Sequence, residues 1–107
     1  MRTFLIISAA LFLVACSASR LATPTAVDVE KGSANFEALT LSQLESGKVL
    51  YSENCGKCHP HKKVGNYTRE EWERIMPDMV QKANKKGGNL VDADEEALLR
   101  YAVTMAQ

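Results

Sequence analysis

Between Asn54 and His61 the chain reads "NCGKCHPH", which places Cys55, Cys58, His59 and His61 within one short stretch. Thiols and imidazoles at this density serve three kinds of chemistry. A Cys-x-x-Cys pair in a βαβ scaffold is a thiol–disulfide redox site. Cysteine and histidine together are tetrahedral ligands for zinc. The redox reading asks for strands, and none of this chain alternates like one. The zinc reading is strained in another way. Four ligands this close leave little chain to wrap an ion, and structural zinc sites usually pair two separated knuckles.

The third chemistry is covalent haem attachment, whose signature is Cys-x-x-Cys-His. Two thiols add across the vinyl groups on one edge of a porphyrin, and the short turn aims the next side chain, His59, at the iron. The rest of the chain favours this reading. At 107 residues it forms one small domain whose unaided core is marginal. Aromatics are few, with one Trp, three Tyr and three Phe, so a bound macrocycle would supply missing core. Lys+Arg 13 balances Asp+Glu 13, and nothing in the charge points to nucleic acid.

The elements that must position the motif are helical. Thr40-x-x-Gln43 and Ser42-x-x-Glu45 are capping-box patterns that open a helix running to Cys55. Thr68-x-x-Glu71 announces a second, with Trp72, Ile75, Met76, Met79, Val80 and Ala83 on one face and Pro77 expected to bend or interrupt it. "NKKGGN" is a loop, and Asp92-x-x-Glu95 opens a third helix through "EALLRYAVTM". The expected fold is all-α, with three to four helices packed around the haem in a domain spanning residues 39–107.

The N-terminus reads as an export signal. Arg2 precedes an apolar stretch from Phe4 to Val14 that is too short to span a bilayer comfortably. It ends in Leu13-Val14-Ala15-Cys16, which resembles the lipobox of bacterial lipoproteins. That resemblance implies a signal peptide over 1–15, a lipidated Cys16 and a membrane anchor. The alternative is an ordinary secretory signal cleaved near Ala15 or Ala18. Lipidation also resolves the odd count of three cysteines, leaving only Cys55 and Cys58 to explain. Residues 16–38 mix small and polar residues with Pro24 and Gly32 and read as a flexible tether with a reach of roughly 25 Å. Within it, Val27, Val29 and Phe36 are the side chains that could instead lie against the domain. The protein is expected to be lipid-anchored and to face the periplasm, and Ser17 favours the outer membrane.

From Leu39 to Ala106 the chain resembles the small monohaem cytochromes c of class I type. In that family a Gly and an aromatic precede the first haem cysteine by eight and four residues, and they pack against an aliphatic and an aromatic on the last helix. Gly47, Tyr51, Leu98 and Tyr101 match those positions. The resemblance implies one haem c bound through Cys55 and Cys58, with His59 as the proximal iron ligand. A subgroup carries its Met ligand seven residues after a Trp, with an Ala four further on. Trp72, Met79 and Ala83 match it, making Met79 the expected distal ligand and Met76 the runner-up. Met105, near the chain's end, reads as core. His61 stands too close to His59 to reach the opposite face of a porphyrin. One departure concerns the family's proline past the histidine, whose carbonyl orients the imidazole. The only nearby proline here is Pro60. Tyr67 and Trp72 are candidates for packing on the haem edge, bonding a propionate or filling core.

The implied function is one-electron transfer by a tethered carrier rather than an enzyme. Lys57, Lys62, Lys63, Lys82, Lys85 and Lys86 form either a basic docking face for an acidic redox partner or simply solvated lysines. The alternatives are a five-coordinate haem sensor or small-ligand binder, a Cys/His zinc-binding module, and a catalytic haem protein. For the last, only His61 and helix acids offer acid–base groups.

Overall fold

In the computed structural model, the described residues 21–55 and 64–106 form four α-helices and one short 3-10 turn, with no strand among them. The helices are α1 (Ala26–Gly32), α2 (Leu41–Asn54), α3 (Arg69–Lys85) and α4 (Asp92–Met105), and the 3-10 turn spans Val64–Asn66. The expected all-α architecture is present. Helix α4 is the hub and packs against α1, α2 and α3.

Each helix starts and stops for a local reason. At α2, Thr40 is the N-cap, and its hydroxyl accepts the Gln43 amide at 3.1 Å. Of the two overlapping patterns, the first therefore sets the boundary. At α3 the box closes both ways: Glu71 N donates to the Thr68 hydroxyl at 3.2 Å, and Thr68 N donates to the Glu71 carboxylate at 3.3 Å. The same helix ends in a Schellman arrangement. Gly88 N donates to Ala83 O at 3.0 Å and Gly87 N to Asn84 O at 3.1 Å, with Gly87 at φ 88°. The Asn84 side chain then pins the loop by bonding both Leu90 O (3.0 Å) and Leu90 N (2.6 Å).

Two boundaries differ from expectation. Helix α4 is capped at Val91 rather than Asp92, because the Asp94 carboxylate reaches back to Val91 N at 3.0 Å. Helix α3 continues uninterrupted through Pro77. Pro77 lies on the exposed side, where the Glu73 carbonyl that loses its helical donor meets solvent. The apolar stripe of Trp72, Met76, Val80 and Ala83 is buried on the other side.

Much of the stretch read as a tether is folded in the described part. It carries α1, and Phe36 is only 7% exposed. Two guanidinium groups lie over the Phe36 ring, Arg69 at 5.3 Å and Arg100 at 5.2 Å from its centroid. Val29 packs against the core, whereas Val27 points to solvent. The domain thus begins ahead of Leu39.

The closest approach in the fold is that of α2 to α4. The buried residues of α2 are Leu44, Gly47, Tyr51 and Asn54, a stripe at helical spacing. A Cβ added at Gly47 would collide with the Ala97 carbonyl oxygen and stand 2.5 Å from Tyr101 Cβ. The backbones cross where one of them has no side chain. Gly47→Ala is expected to destabilise by about 1–3 kcal/mol through overpacking, despite the gain of about 1 kcal/mol in helix propensity. Gly65→Ala, which meets nothing within 4 Å, serves as the near-neutral control in the same urea titration.

Candidate functional site

The attachment motif begins where α2 ends. Cys55 is the C-cap of α2, its N–H donating to Tyr51 O at 3.0 Å. Its side chain is half-buried and packs against the core. Burial pushes the thiol up to about 11, so at neutral pH Cys55 is a protonated, weakly reactive thiol. An exposed, low-pKa redox cysteine needs the opposite surroundings.

Behind Cys55 runs a chain of aromatic rings. Tyr67 meets Trp72 edge-on with centroids 5.0 Å apart, Trp72 meets Tyr51 at 6.3 Å, and Tyr51 meets Tyr101 at 6.1 Å. Trp72, Tyr51 and Tyr101 are fully buried. The Trp72 indole N–H donates to Val64 O at 3.0 Å. Cys55 on one side and Val64 on the other are therefore both tied to this cluster, through α2 and through Trp72 respectively. The Trp72 donor is already engaged, which leaves it unavailable to a propionate in this arrangement. The Tyr101 hydroxyl donates to Ala22 O at 3.0 Å.

The two candidate methionines differ in setting. Met76 is 1% exposed and buried in the core, whereas Met79 is half-buried on its edge. Trp72 and Met79, seven residues apart, lie on nearly the same face of α3. Met105 packs half-buried against the core, in keeping with its reading as a packing residue. Gly47, Tyr51, Leu98 and Tyr101 all belong to the α2–α4 contact or the core beside it. A glycine crossing of this kind is general helix-packing physics and does not name a family.

Several expected site residues lie outside the described residues: Cys16, Lys57, Cys58, His59, Pro60, His61, Lys62 and Lys63. Among the described residues, no three His, Cys, Asp or Glu side chains gather around a common metal position, and no helix is long and apolar enough to cross a membrane. Lys82 pairs with Asp78 at 2.9 Å along α3.

The structure also singles out Asn54, which sequence reading passed over. It is buried beside Cys55 and donates from Nδ2 to Leu50 O at 2.9 Å. A Cβ at Gly88 would stand 3.0 Å from its Oδ1, so the α3–α4 turn closes against the end of α2. The sequence shows only an Asn directly before the first motif cysteine, and its burial is visible in the structure alone.

The chain matches no family model, no curated protein and no solved structure.

Burial makes the fold sensitive to alkali. Tyr101 is raised to about 12 by burial and by nearby Asp28, and Tyr51 is raised by burial and then by Cys55, Tyr101 and Tyr67. In the unfolded chain, Cys ionises near 9.0 and Tyr near 10.0. Above those values the unfolded state binds fewer protons than the folded one, so stability falls as pH rises. The contribution is complete below pH 9 and is lost through about 11 for Cys55 and about 12 for Tyr101. Urea midpoints should stay level to pH 9 and then decline for protein with a free Cys55 thiol. With Cys55 in a thioether, the decline should begin about one unit later, from the tyrosines alone. A flat profile to pH 12 would contradict the burial assigned to these groups.

Proposed function

We propose that this chain is an exported, lipid-anchored monohaem c-type cytochrome that transfers single electrons. The observation that carries the reading is that Cys55, where the Cys-x-x-Cys-His motif begins, caps a helix that packs closely on the last helix at Gly47 and carries Tyr51 into a buried aromatic cluster. The donor set fits haem c chemically: two thiols for thioether links, an imidazole, and thioether sulfurs on α3. Cys55, Val64, Tyr67, Ile75 and Met79 are half-buried apolar side chains packed against the core, the kind of surface a macrocycle would cover.

A haem held there supplies reversible one-electron exchange at its iron. The chain's own residues do the rest. Cys55 and Cys58 would hold the group covalently, and His59 and Met79 would be its iron ligands, with Met76 as the second choice for Met79. Tyr51, Trp72 and Tyr101 keep water from the protein side and lower the local dielectric, which tunes the potential. The lysines at the end of α3, Lys82, Lys85 and Lys86, together with Lys57, Lys62 and Lys63, would steer an acidic redox partner. Burial favours Met79 over Met76, because drawing Met76 to an iron empties part of the core. Lipidation of Cys16 would anchor the protein to a bacterial membrane, facing the periplasm.

The test is spectroscopic. Protein made in a strain competent for cytochrome maturation should retain its pigment through acid extraction and denaturation, and Cys55→Ser should weaken that retention. Reduced protein should be slow to bind carbon monoxide. Met79→Ala should open the iron to it at modest cost in stability. Met76→Ala should leave the iron closed while costing about 2–5 kcal/mol of folding energy. Rapid carbon monoxide binding by the unaltered protein would favour the five-coordinate sensor, and stoichiometric zinc without pigment would favour the zinc module.

A further inference from the structure

The segment ahead of α1 is strapped to the domain at successive residues. Leu21 packs against the core, the Ala22 carbonyl accepts from the buried Tyr101 hydroxyl at 3.0 Å, and the Thr23 hydroxyl accepts from Lys48 Nζ at 2.8 Å. Pro24 is buried, and Thr25 caps α1 by bonding Asp28 from its N–H at 2.7 Å. The strap continues through α1 to Phe36, whose ring lies under the guanidiniums of Arg69 and Arg100. Arg69 also bonds Asn35 Oδ1 at 3.0 Å, and Arg100 bonds Glu37 O at 3.0 Å.

We infer that this strap converts what would be a long tether into a short leash, holding the domain against the membrane in which Cys16 is anchored. The inference rests on the lipoprotein reading of Cys16 but not on the haem. Only four residues lie between Cys16 and the docked Leu21, and the five residue steps span at most about 18 Å. A chain free from Cys16 to Leu39 would reach about 80 Å at full stretch and about 26 Å on average. A domain of this size is about 30 Å across. A leash shorter than the domain's own width stops it from turning freely, so the side bearing Leu21, Ala22 and Tyr101 stays towards the lipid. The surface this chain meets first is its own membrane.

Neutron reflectometry on the full lipidated chain in a supported phosphatidylethanolamine/phosphatidylglycerol bilayer tests the leash. Mass spectrometry first establishes acylation of Cys16. The expected profile is a protein layer about one domain thick, starting at the headgroups with no water-rich gap. Inserting ten Gly/Ser residues between Arg20 and Leu21 should lift and broaden that layer. A diffuse native layer reaching about 25 Å further out would overturn the leash while leaving the anchor intact, as would an insertion without effect. An unacylated Cys16 would overturn the anchor, and the leash with it, without touching the haem assignment.

Discussion

The arrangement depends on how closely α2 and α4 approach at Gly47. With a side chain there, the Ala97 carbonyl and Tyr101 Cβ would be pushed away, and the Tyr51–Tyr101 ring contact beside them would open. Tyr51 is one turn ahead of Cys55, so the same crossing determines where the first motif cysteine emerges. Helix α4 then spreads the constraint, because α1, α2 and α3 all pack on it. The geometry around Cys55 follows from one missing methyl group and a row of rings stacked beside it.

The aromatic row does a second job. Among the described residues, all five Phe, Tyr and Trp rings are gathered near Cys55 or at the strap: Tyr51, Tyr67, Trp72 and Tyr101 at the first, Phe36 at the second. A small domain gains little from apolar area alone, and concentrating the large side chains gives it one well-packed region. Its polar tips are not wasted there. The indole binds Val64 O, and the Tyr101 hydroxyl binds Ala22 O, each linking the rings to a separate piece of chain.

Helix positions were legible because their signals are local. Thr40 and Thr68 cap as their patterns imply, and the Gly87–Gly88 pair ends α3 as glycine should. The α4 cap slipped by one residue because Asp94 could serve the turn from inside the helix, a choice that depends on side-chain reach rather than on pattern. Pro77 leaves α3 uninterrupted for a related reason. Its effect turns on whether the abandoned carbonyl faces water, and facing is a tertiary property. The strap was hardest to read. Its partners lie far along the chain, Tyr101 for Ala22 and Arg100 for Phe36, and neither contact leaves a periodic trace in residues 21–38. At the candidate site, Gly47, Tyr51 and Tyr101 were visible from spacing, whereas Asn54 became apparent only through its burial.

Phe36 fastens two helices at once. Arg69 belongs to the start of α3 and Arg100 to the middle of α4, and each has its own carboxylate, Glu73 at 2.9 Å and Glu96 at 2.7 Å. Both guanidiniums also lie over the Phe36 ring, at 5.3 and 5.2 Å from its centroid. Withdrawing the ring would therefore do more than empty a pocket: both helices would lose a shared fastening to the segment ahead of α2.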